Sequence, residues 1–175
     1  MDWWFYLPWG RKINSGVSYR GRRLSGKMSA LELVGPLVCI CAAPDLVRCQ
    51  AVRIWVDNIG SVRIWRKGYS SSCSLSTTLV RALGVVAAAL GCQVFIEKVA
   101  RCSSPGAVMA DALSKAAFGK FREAAAAAGW PLALEPAWVP PSLLRWVASP
   151  AADEDLGVDI LADLKSRTAL LGYNC

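Results

Sequence analysis

The hydrophobic positions of this chain change period along its length, and the changes mark out elements. WWFYLPWG, residues 3–10, is aromatic and strand-like and is closed by Pro8 and Gly10. A polar, basic stretch follows, with a second short strand expected at Val17–Tyr19. Ser29 and Glu32 stand three residues apart at the head of SALELVGPLVCICAA, the spacing of a capping box, so a helix is expected from Ser29, kinked or restarted at Pro36. AVRIWVD (51–57) is β-branched and aromatic with a charge on its second face, the pattern of a strand. Asp57 and Asn58, both capping types, lead into IGSVRIWRK, which Gly68 closes.

Further on, a helix is expected over 76–90 with Gly91 as its stop, then a strand over 92–99. Ser104 as N-cap and Pro105 as first residue begin what reads as one helix to Ala128, ended at Gly129. After Trp130 the texture becomes rich in Pro and Trp, an extended arm with a short helix at 142–147. The last segment opens on acids and spaces Leu156, Ile160, Leu164 and Leu171 at helical intervals. Strand and helix alternate through 29–128. The fold class expected is therefore α/β, a mixed sheet with parallel strands flanked by helices and a C-terminal helical extension. The expected division is a domain over 1–129 and an arm with an acidic helix over 130–175.

Composition narrows the function classes. The 175 residues are 54% hydrophobic and 19% charged, which excludes a disordered chain. No apolar run reaches the length of a membrane span, and the N-terminus lacks the basic flank and cleavage site of a signal peptide. The expected location is intracellular, cytoplasmic or nuclear, and not secreted. With no His, the chain cannot carry a Ser-His-Asp triad, a Cys-His dyad or a His-containing zinc site. Its seven Cys include no Cys-x-x-Cys pair and several lie in apolar stretches, so they read as reduced, buried small hydrophobes rather than a metal site. The net charge of +7 is distributed as +5 over 1–30, +5 over 31–123 and −3 over 124–175. A basic body with an acidic tail suits a polyanionic partner, most simply nucleic acid.

Three acids stand apart. Asp57 ends a central strand, and the crevice of an open α/β sheet lies beyond the carboxyl ends of its strands. Glu32 and Asp111, near the starts of two helices, could reach the same edge. Clustered carboxylates repel unless a divalent cation neutralises them, and hard oxygen donors suit Mg²⁺ or Mn²⁺. Each acid also has a plain structural reading: Glu32 as reciprocal partner of Ser29, Asp57 as a helix cap, Asp111 as an ordinary helical acid.

SALELVGPLV, RIWVDNIGSVRIWRKG and VARCSSPGAVMADALSKAAF, in that order, resemble the ribonuclease H domain of retrotransposon polyproteins. The likeness is greatest to the type linked to tyrosine-recombinase (DIRS-like) reverse transcriptases and covers roughly residues 3–120. It implies a ribonuclease H-like sheet and Glu32, Asp57 and Asp111 as catalytic metal ligands for Mg²⁺ or Mn²⁺. The implied reaction is two-metal hydrolysis of RNA in an RNA–DNA hybrid. Arg63, Arg66 and Lys67, with Arg20, Arg22 and Arg23 in the basic loop, are the expected phosphate contacts. The family's fourth carboxylate, from its first strand, has no counterpart: only Met1 and Asp2 precede WWFYLPWG, and Asp2 stands at the wrong end of such a strand. The loop before Asp111 also lacks the His of cellular relatives. An active and an inactive site are therefore both open.

Two other functions compete with hydrolysis. One is a non-catalytic hybrid- or duplex-binding module that uses the basic patches. The other is a protein-interaction domain whose segment 130–146 engages a partner, within this chain or beyond it. The eight Trp read as core and packing anchors rather than base-stacking platforms.

Overall fold

The computed structural model describes residues 25–100, 104–114, 117–129 and 138–170. Helix α1 (Ser25–Ala42) leads through the single turn α2 (Pro44–Val47) into strand β1 (Ala51–Val56). Helices α3 (Ile59–Lys67) and α4 (Ser74–Ala89) cross over to strand β2 (Gln93–Lys98). Then come α5 (Pro105–Ser114), α6 (Phe118–Ala127), α7 (Pro141–Ala148) and α8 (Leu156–Leu170). The two strands pair in parallel with Ala51 opposite Gln93 and Val56 opposite Lys98. A helical crossover joining parallel strands makes the chain an α/β structure. The strands expected at 3–10 and Val17–Tyr19 lie outside the described residues, as do Arg20, Arg22 and Arg23.

Local chemistry explains most boundaries. Asn58 caps α3, its Oδ1 accepting the Gly60 N–H at 2.7 Å. Gly68 ends the same helix at φ 75°, a left-handed conformation that a Cβ would penalise. Ser104 Oγ accepts the Ala107 N–H at 3.2 Å at the start of α5, as an N-cap before Pro105 should.

Two expected helices differ from those observed. Helix α1 starts at Ser25, one turn before the capping-box position, and runs unbroken through Pro36. Ser29 and Glu32 are therefore interior to it, and Glu32 engages α3 instead of its own N-terminus. The single helix expected over 105–128 is two helices. Met109, Ala112 and Leu113 of α5 fold against Phe121 and Ala125 of α6, burying side chains that one straight helix would leave in solvent.

One apolar core spans α1, α4, the inner face of the sheet and the C-terminal helices. Leu33, Leu37 and Ile40 meet Leu79, Leu83 and Val86, and Leu143, Leu156 and Ile160 close the same cluster. Helices α7 and α8 thus belong to the core built by residues 30–96. Gly157 lets α8 approach α4 closely: a Cβ there would stand 3.0 Å from the Ala82 Cα. Arg167 of α8 donates to the Cys41 and Ala42 carbonyls at 3.2 Å, capping the end of α1, and its guanidinium lies 4.7 Å from the Trp138 ring centroid. The α5–α6 pair forms a separate, smaller cluster.

Candidate functional site

Both strands end at one edge of the sheet, and the chain returns to that edge twice. Helix α1 runs back from β1 toward it, because α1 ends just before the turn that enters β1. Its Glu32 Oε2 accepts a hydrogen bond from Ser61 Oγ at 3.2 Å. Ser61 is a buried hydroxyl in the first turn of α3, and Asp57 immediately precedes the cap of that helix. Glu32 and Asp57, 25 residues apart in sequence, are thereby brought to the same end of the sheet. Glu32 is half-buried, and Asp57 is exposed.

The basic residues expected to bind phosphate lie on the same helix. Arg63, Arg66 and Lys67 are three and four residues apart, so they share one face of α3, and all three are exposed. A nine-residue helix is about 14 Å long, which keeps these cations within that distance of the edge where Asp57 stands. Arg66 and Lys67 also occupy the last turn, where a cation complements the helix dipole.

Asp111 is placed differently. It is half-buried in the second turn of α5, whose apolar residues close against α6 rather than joining the main core. Among the described residues, no three Cys, Asp or Glu side chains come close enough together to hold a metal ion. Glu32, held to Ser61 in the first turn of α3, and Asp57, just before that helix, are oxygen donors of the kind that suits Mg²⁺ or Mn²⁺, which commonly takes one or two carboxylates and completes its shell with water and substrate phosphate.

The remaining chemistry is quiet. Burial pushes the Cys39 and Cys41 thiols up to about 12, and the Cys92 thiol is raised for the same reason. Five Cys among the described residues are free thiols. Trp146 is buried and donates to the Ala151 carbonyl at 2.8 Å; with Trp138 under Arg167, both described Trp of the arm are held within the fold. One feature had no signal in the sequence. A cleft of about 420 Å³ opens where Ser70–Ser74 and Thr77 face Asp153 and Glu154, with the Arg81–Glu154 pair at 3.3 Å on its wall. Among the described residues no helix is long and apolar enough to cross a membrane. Comparison with protein-family models, with curated proteins and with solved structures returns no match.

Proposed function

We propose that this chain is a ribonuclease H-like domain of retroelement type that acts on RNA–DNA hybrids. The observation that carries the reading is the Glu32–Ser61 hydrogen bond, which holds one candidate carboxylate against the helix that begins beside the other. On this reading Glu32 and Asp57 hold a divalent cation, which supplies Lewis acidity and charge neutralisation at a phosphodiester. Arg63, Arg66 and Lys67 on α3 bind the backbone phosphates, positioning a duplex by its shape rather than its sequence. Asp111 is the third ligand that the resemblance implies.

A second reading has its own observation. The helix that carries Asp111 belongs to a separate apolar cluster, which favours a hybrid-binding module without hydrolysis. Cleavage of a labelled RNA–DNA hybrid with Mg²⁺ or Mn²⁺, beside Asp57→Asn, separates the two. Metal-dependent cutting lost in Asp57→Asn supports the nuclease. Binding without cutting, with an affinity that falls steeply as salt rises, supports the module. Neither cutting nor binding refutes both.

A further inference from the structure

The face of the sheet turned away from α1 and α4 carries two aromatic rings. Ile54 and Ile96 contribute to the core, whereas Trp55 and Phe95 point the other way and are each 47% exposed. The register sets Arg53 opposite Phe95 and Trp55 opposite Glu97, so these four side chains form a compact quadrilateral. Arg53 Nε and Glu97 Oε1 meet at 3.6 Å across one diagonal. The two rings occupy the other, roughly 8 Å apart at Cα by ordinary strand geometry. The other described tryptophans are engaged: Trp65 packs against the core, Trp138 lies under Arg167, and Trp146 is buried. Trp55 is the exception.

The charges indicate what covers this face. An apolar peptide or a second copy of the chain would strip water from the Arg53–Glu97 pair at the centre of the contact, which is costly for both ions. A nucleic acid strand offsets that cost, because its phosphate can take the place of Glu97 at Arg53 while the carboxylate turns to solvent. Its bases stack on aromatic rings whatever their sequence, and its phosphates are natural partners for a guanidinium. The ion pair is open to solvent, with side-chain exposures of 61% and 43%, so it holds Arg53 weakly and a phosphate can replace the carboxylate. The chain carries +7 overall, which favours an anionic partner.

We propose that the outer face of β1 and β2 is a stacking platform for unpaired nucleotides, with Trp55 and Phe95 each taking a base and Arg53 a phosphate. This rests on the nucleic-acid reading above only for the class of partner. The ligand differs, because the bases of a hybrid duplex are already stacked on one another and cannot cover the rings.

The test uses the full chain and two probes, a labelled oligouridine and a labelled RNA–DNA hybrid, read by fluorescence anisotropy. Trp55→Ala and Phe95→Ala should each weaken oligouridine binding about 5- to 150-fold, the range expected for one lost base stack. Hybrid affinity should be unchanged in both. Trp55→Phe, which keeps a ring, should retain most of the single-strand affinity and guards against misfolding of the alanine variants. Photocrosslinking of an iodouridine-substituted strand should label Trp55 or Phe95. Unchanged oligouridine affinity in both alanine variants, or crosslinks confined to other residues, overturns the platform. A wild-type chain that binds hybrid but not oligouridine overturns the platform alone. Binding to neither overturns both readings. A dimer in sedimentation that Trp55→Ala disperses would identify a second copy as the occupant and overturn the proposal.

Discussion

Replacing Gly157 by alanine tests whether α8 is as closely seated on α4 as the geometry requires. The added Cβ would stand 2.9 Å from the Val85 Cβ, 3.0 Å from the Ala82 Cα and 3.2 Å from the Val85 Cγ1. Two of these neighbours belong to one side chain, but the Ala82 Cα is backbone and cannot swing aside, so one helix must move. Overpacking of this kind costs about 1–3 kcal/mol. Exchanging glycine for alanine in a helix returns about 0.5–1 kcal/mol, less near the first turn where Gly157 lies. The net expectation is a loss of about 1–2 kcal/mol, or roughly 3–6 °C in Tm for a chain of this size. Urea unfolding should show a lower midpoint with an unchanged slope.

Gly84 in α4 is the internal control, because a Cβ there would meet nothing within 4 Å. Gly84→Ala should raise stability by about 0.5–1 kcal/mol. Val85→Ala removes part of the obstruction, so the double variant Val85→Ala/Gly157→Ala should be less destabilised than the sum of the single changes. A Gly157→Ala midpoint at or above that of wild type would refute the close seating of α8, and with it the reading of the C-terminal helices as part of the main core.

Arg167→Ala removes two hydrogen bonds from the end of α1 and the cation over Trp138, and should cost about 2 kcal/mol. Arg167→Lys should recover only part, since an ammonium lacks the planar face; equal urea midpoints for the alanine variant and wild type would contradict this. The buried thiols predict an alkaline limit. Cys39 and Cys41 rise from an ordinary 9.0 to about 12 on burial, so the native state keeps protons that the unfolded chain releases. Stability from these groups is complete below 9.0 and is lost as pH rises toward 12, by about 2 kcal/mol per thiol near pH ~10.5. Urea midpoints taken across that range should fall, and Cys39→Ala/Cys41→Ala should show a flatter decline; parallel curves would exclude the thiols as the cause.

Capping residues and β-branched runs made several elements legible without any structure. Asn58, Gly68, Ser104 with Pro105, and Gly129 each act within a few residues of their own backbone, and each lies at a helix boundary. The helix expected over 142–147 is there as Pro141–Ala148, and Leu156, Ile160 and Leu164 are buried as their spacing indicates. Long-range contacts were not legible. Ser29 and Glu32 have the spacing of a capping box, yet Glu32 turns to Ser61 on another helix, a partner 29 residues away. The Ala-rich run after Asp111 reads as continuous helix because each residue favours it, but burial of Phe121 against Met109 bends the chain back.

The candidate site divides along the same line. Sequence alone marks Asp57 at the end of a strand and puts Arg63, Arg66 and Lys67 on one helical face, because both follow from the period of a single element. Whether carboxylates from three elements meet depends on how those elements pack. Tertiary structure brings Glu32 to the helix that follows Asp57, and it closes the apolar residues of the helix that carries Asp111 against α6. The exposure of Trp55 was decided in the same way. A strand's alternation says that Trp55 and Ile54 face opposite sides, but only the packing of α1 and α4 determines which side is covered. Burial is a property of what lies across from a residue, and the local chain carries no record of it.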